Sequence, residues 1–265
     1  MKWLFFHYDT FLEFERSVTE HQFVLRCMPR TNDRQRVVQA EVKVSPAVPF
    51  TAQEDGFGNA VQAGCVFFEH NSFHYSAHGE VFVSPDNKDR CALNPAFAYP
   101  SRLTAPTPEM AAFLKALPLE GGRHAVAQAI SSAVHAHIAY SPGSTDVHTT
   151  AAQVFAGRAG VCQDYAHVFV ALARLAGIPA RYANGLVLGE GASHAWAEAY
   201  IDDGWVGFDP TRDSAVGDDY IRFSVGRDFD DCPIERGVFF GDGGQRQTVQ
   251  IKVRELSQID PAPER

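Results

Sequence analysis

At 265 residues with a net charge of −9 and no basic cluster, the chain is unsuited to binding nucleic acid or an acidic membrane surface. A hydrophobic content of 45% and an aromatic content of 12% describe a packed globule. A chain of this size buries about three-quarters of its unfolded surface, enough for two modest domains. No stretch approaches the ~20 apolar residues of a membrane span, and the apolar start from Met1 to Phe6 is too short for a signal segment. Five unpatterned cysteines suit a reducing compartment, so the cytoplasm is the expected location.

Residues 1–104 read as a β-rich N-terminal domain, sandwich-like, with strands at Phe23–Cys27, Val37–Val44, Val61–Glu69 and Glu80–Val83. Pro95, Pro100, Pro106 and Pro108 mark the connection to a second domain over 105–265. There the pattern turns helical. One helix starts at Pro108 and ends by Pro118, and another runs from Gly122 to about Ala139. Thr150 and Gln153 form a capping box for a third helix that ends near Gly157. A fourth covers Cys162 to Ala176, with apolar residues at helical spacing and Gly177 then Pro179 as the stop. Strands resume at Arg181 and finish with Thr248–Val253. The expected class is α+β, with helices against an antiparallel sheet behind a β domain.

The segment from Gly160 to His167 carries the sharpest chemistry. Cys162 opens a helix, where aligned peptide dipoles favour a thiolate and where its own N–H has no intrahelical acceptor. Gly160 is expected to let the chain turn sharply into it. Downstream, His194–Ile201 alternates, with His194, Trp196, Glu198 and Tyr200 on one face. Trp205–Asp209 alternates as well. An Asp203-Gly204 hairpin turn pairs Asp209 with Glu198, whereas a turn at Ile201-Asp202 puts Asp209 opposite His194. From the residues alone, either Glu198 or Asp209 can orient the His194 imidazole.

Three blocks occur in order: GVCQDYAHVFVALARLAGIPARY, SHAWAEAYIDDGWVGFDPT and VGRDFDDCPIERGVFFG. With them the chain resembles the transglutaminase-like superfamily, in particular a bacterial group described as cysteine proteases. Weaker similarity reaches upstream to the segment Asp55-Gly56-Phe57-Gly58-Asn59. The resemblance implies a papain/transglutaminase-like core in which Cys162 is the nucleophile, His194 the base and Asp209 the third member, favouring Asp209 over Glu198. It implies a thioester acyl-enzyme formed from an amide or peptide bond of a peptide or protein substrate, resolved by water. An amine acceptor would instead make the protein a transglutaminase, and a non-catalytic binding module is the third possibility. Gln163, Trp196 and Trp205 are expected to line or border the cleft, although sheet packing accounts for the tryptophans equally well. Tyr140 is a candidate second donor to the oxyanion, against the plainer reading of a core tyrosine. At Tyr220, before Ile221, relatives are expected to carry a histidine, a difference that bears on a substrate contact.

No metal or cofactor is expected. His70, His74 and His78 fall in a strand-turn-strand pattern, and His135 and His137 stand two apart on a helix, so neither group shares a helical face. His167 is expected to pack or hydrogen-bond. Cys27, Cys65, Cys91 and Cys232 lack a catalytic setting and read as small packed side chains.

Overall fold

The computed structural model describes residues 1–257. Its first sheet is built on β1 (Lys2–Leu25), with β2 (Gln35–Ser45), β3 (Phe50–Glu54), β4 (Ala60–Val66) and β5 (His70–Val83), in the order β2-β5-β1-β4-β3. Along β1, Leu4, Phe6, Tyr8, Leu12 and Phe14 are buried on one face. The sequence reading finds no strand before Phe23, because Phe5 and Phe11 put aromatic rings on the other face as well and blur the alternation. The first part of β1 pairs with β5 and its last residues with β4. Inward residues of both parts share one core with Phe73 and Tyr75, so a single long strand builds the expected sandwich-like packing.

After β6 (Lys88–Asp89) come α1 (Pro108–Ala116), α2 (Arg123–His137), β7 (Ala139–Tyr140), α3 (Ala151–Gly157), β8 (Ala159–Gly160) and α4 (Cys162–Leu175). Thr107 caps α1 ahead of Pro108, and Thr150 with Gln153 forms the capping box of α3. The second sheet contains β9 (Ala180–Val187), β10 (His194–Ile201), β11 (Gly204–Asp209), β12 (Ser214–Ala215) and β13 (Tyr220–Gly226), in the order β12-β11-β10-β9-β13. Its Ala197, Ala199, Val206 and Phe208 pack in one core with α4, which is buried from Asp164 to Arg174. Among the described residues no helix is long and apolar enough to cross a membrane.

The chain crosses between the sheets in both directions. β6 pairs with β11, and β14 (Glu235–Phe240) and β15 (Gln245–Glu255) return to pair with β1. Segments on either side of residue 104 therefore complete each other's sheets.

The β10–β11 hairpin differs from both expected registers. Ile201 pairs with Gly204, and Asp202 and Asp203 form the turn with φ of +45° and +68°. Both turn residues thus occupy the left-handed region, which aspartate tolerates. Gly204 lies outside the turn. A Cβ there would come within 2.6 Å of Lys88 Cε, so the glycine makes room for β6.

The β9–β13 ladder is as tight. A Cβ at Gly185 would lie 1.9 Å from the carbonyl oxygen of Ile221. Gly185→Ala should therefore lower stability by about 1–3 kcal/mol, the usual range for overpacking. Urea unfolding checks this, and an unchanged midpoint would refute the close approach.

Candidate active site

The nucleophile candidate is held from behind. Asp164 reaches back from the third position of α4 and accepts a hydrogen bond from Val161 N–H at 2.8 Å, while Thr145 Oγ1 donates to the same carboxylate oxygen at 2.6 Å. A Cβ on Gly160 would come within 2.6 Å of that oxygen, so Gly160 provides room for Asp164, and its φ is not among the positive values. Burial raises the Asp164 carboxyl, against the pull of Thr145 and Val161. The result is a fixed helix start. Cys162 is partly exposed there, and the Cys162 and Gln163 N–H groups lie in the first turn, beyond the reach of intrahelical acceptors.

His194 begins β10 and Asp209 ends β11. His194 Nε2 lies 2.7 Å from Asp209 Oδ2, which leaves Nδ1 as the ring nitrogen free to meet Cys162. Burial works against the imidazolium, but hydrogen bonds and charge from Asp209 and Cys162 prevail and raise His194 to about 9. Asp209 is wholly buried. Desolvation alone would raise it, yet the His194 contact, the Tyr220 hydroxyl and Arg212 together hold it below its ordinary value. Tyr220 Oη donates to Oδ2 at 2.8 Å, and the Thr211 and Arg212 N–H groups donate to Oδ1 at 3.0 and 3.3 Å. Tyr220, expected to bear on a substrate contact, thus touches the acid of the constellation. Sequence reasoning singled out the position and misassigned its neighbour, since only the β13–β9–β10 packing brings it to Asp209.

Glu198, the competing acid, is engaged elsewhere. Arg181 Nε donates to it at 2.7 Å and Arg222 Nη1 at 3.0 Å, with Asp89 accepting from Arg222 Nη2 at 2.7 Å. Its burial is overcome by the charges of Arg222, Arg181 and Arg34, which hold the carboxyl far below the usual range. Trp196 donates to Glu198 at 3.4 Å and Trp205 lies under the Arg181 guanidinium at 4.1 Å. Both tryptophans are fully buried in sheet packing and do not line the cleft.

Cys162, Gln163 and His194 open onto a cleft of about 550 Å³. Its far wall comes from the first sheet, including Tyr8, Leu12, Glu235, Phe239 and Gln247. Tyr140 is not a core residue. It pairs across β7 and β8 with Gly160 and is 58% exposed. Partial desolvation, with Cys162 and Glu190 adding to it, raises its hydroxyl. His167 is buried and accepts from Phe229 N–H at 3.1 Å. Burial raises the thiols of Cys27 and Cys232 and keeps them protonated.

The His194 shift carries a sign. Its folded value of about 9 lies above the ordinary 6.5, so the stabilising contribution is complete below pH 6.5 and is lost as pH rises through about 9. Asp209, depressed, contributes above its ordinary value of 3.8 and loses that contribution as pH falls. The urea stability gap between wild type and His194→Ala should thus shrink steadily on going from pH 6.5 to above 9. A gap independent of pH would exclude the charged pair. Replacing Asp164 with Ala should cost about 1 kcal/mol of helix-cap stability. It should also slow alkylation of Cys162, as read by peptide mapping, and an unaltered rate would count against the clamp.

A family model described as the transglutaminase-like superfamily matches residues 118–210, the span that holds Cys162, His194 and Asp209. A second, the bacterial transglutaminase-like N-terminal region, matches residues 4–82. An uncharacterized protein of Mycobacterium leprae (strain TN) is 29% identical over 255 residues, covering 88% of this chain and 91% of its own. One from Mycobacterium tuberculosis (strain ATCC 25618 / H37Rv) is 28% identical over 266 residues, covering 85% and 83%. Among solved structures, a candidate cysteine protease from Cytophaga hutchinsonii superposes with a TM-score of 0.79 at 22% identity, over 99% of this chain and 93% of that one, a likeness of fold. The two family models together match well over half of the chain, which is therefore a member of the transglutaminase-like superfamily, with a bacterial transglutaminase-like N-terminal region ahead of its core.

Proposed function

We propose that the protein is a cysteine-dependent acyl-transfer enzyme that cleaves amide or peptide bonds in a peptide or protein substrate. The observation that carries this reading is the Nε2–Oδ2 contact of His194 and Asp209, with the other ring nitrogen left for a thiol at a helix start. In this mechanism the Cys162 thiolate attacks the carbonyl carbon. The tetrahedral oxyanion accepts from Cys162 N–H, and Tyr140 is the candidate second donor. His194, as imidazolium, protonates the leaving amine, and the thioester remains on Cys162. The neutral imidazole then takes a proton from water, which releases the acid and restores the thiolate. Asp209 stays ionised and holds the ring. Gln163 borders the acyl site.

Transamidation is the second reading, favoured by the N-terminal region that matches the bacterial transglutaminase-like model. It shares every step up to the thioester and differs only in the nucleophile that resolves it. The proposal places the protein in the cytoplasm, where its five unpaired cysteines stay reduced.

The test has two readouts. Iodoacetamide should alkylate Cys162 selectively below pH 7, and more slowly in His194→Ala. Labelling no faster than that of Cys91 would refute a live thiolate. Incubation with a peptide library and a labelled amine, followed by mass spectrometry, should give cleaved peptides that are absent with Cys162→Ala, whereas amine incorporation without cleavage would establish transamidation. With a cleaved peptide in hand, kcat/KM should fall above pH about 9 as His194 loses its proton, while alkylation should not. Parallel profiles would remove His194 as the acid.

A further inference from the structure

Glu235 stands on β14 and lines the cleft that also contains Cys162 and His194. It lies across from Leu25 in the β1–β14 ladder, on the inward face of the sheet. Its neighbours on that wall are Tyr8, Leu12, His21, Phe239 and Val249, largely apolar or aromatic. Its hydrogen bond comes from the neutral Gln247 amide, at 3.1 Å, and no cation pairs with it among the described residues. Arg236, the next residue, is exposed and donates to the carbonyl of Asp230. Arg26, just past β1, is committed to Asp55 at 3.0 Å.

An ionised carboxylate without a cation in a partly desolvated cleft is a costly arrangement. Burial duly raises the Glu235 carboxyl to about 7, with the Tyr75 hydroxyl offsetting part of the rise. The titratable groups that face it are Tyr75 from β5, Tyr8 and His21 from β1 and Cys27 beyond the end of β1. Burial lifts both tyrosines, pushes the Cys27 thiol up to about 12 and, with His70 adding to it, lowers His21 to about 4, so none of the four carries charge near neutrality. A purely structural hydrogen bond to Gln247 would be served as well by a glutamine. The acid is accounted for when a ligand brings the missing positive charge.

We propose that Glu235 is the recognition group of a substrate subsite, on the sheet wall facing Cys162, that takes a cationic side chain of a peptide. The apolar wall of Leu12, Phe239 and Val249 suits the methylene stem of such a side chain, and the carboxylate meets its charged end. For what becomes of the bound peptide, the subsite rests on the acyl-transfer reading. Its recognition chemistry does not.

The experiment separates the two. Tetrapeptide amides that differ only in lysine or norleucine, with the variable residue moved through each position, are titrated into Cys162→Ala at about pH 8.5, where Glu235 is ionised. Binding is followed by calorimetry. One lysine peptide should bind about tenfold more tightly than its norleucine twin, the scale of one charge-assisted hydrogen bond. The arginine peptide should follow it, and the preference should vanish when Glu235→Gln or Glu235→Ala is added. In the parent alone, raising salt from about 50 to about 500 mM should weaken the lysine peptide more than its twin, a check that needs no further variant. Equal binding at every position, or a preference that survives both substitutions, would overturn the subsite. A lysine preference beside an inert Cys162 would leave the subsite and end the acyl-transfer reading. A reactive Cys162 without the preference would do the reverse.

Discussion

The strands that carry the candidate site are joined by a buried knot of charge. Glu198 on β10, Arg181 on β9, Arg222 on β13 and Asp89 on β6 meet with almost no exposure to solvent. Two carboxylates and two guanidiniums satisfy one another there, and Arg34 adds a further positive charge nearby. Removing one member of such a set leaves another charged and unpaired, which typically costs about 3–5 kcal/mol. The knot ties together the strands that carry His194, Asp209 and Tyr220, since β6 is itself paired to β11. This also explains why Glu198, so near His194 in sequence, cannot serve as its partner.

The cleft follows from the same architecture. Helix α4 and the second sheet supply Cys162, Gln163 and His194, and the first sheet supplies much of the remaining lining. That lining is completed by β14 and β15, which follow the segment of Cys162, His194 and Asp209 in the chain. The two sheets that share the cleft are therefore tied together by the same hydrogen-bond ladders that hold the fold.

What could be read from the residues was local. Helix starts at Thr107 and Thr150, the stop at Gly177 and the placement of Cys162 depend on neighbours a few positions away, and such signals survive in sequence. Gly160 was recognised for a turn when its real partner was the Asp164 carboxylate, a distinction that needs coordinates. The hairpin turn went astray by one residue because Asp-Gly is the stronger dipeptide signal, while Lys88 had already claimed the space at Gly204. The early part of β1 was invisible because its solvent-side positions include Phe5 and Phe11, which blur the period-2 pattern. Tyr220 against Asp209, and the far wall of the cleft, join residues by packing that no spacing rule encodes.

One consequence concerns the order in which the chain is made. Residues 4–14 of β1 are synthesised well before their partners on one side, residues 245–255. Until those arrive, that side of the strand presents unpaired peptide groups beside a largely apolar face. Contacts so distant in sequence form late and slowly. A nascent chain must therefore carry that unfinished edge from the synthesis of β1 until β15 has been made.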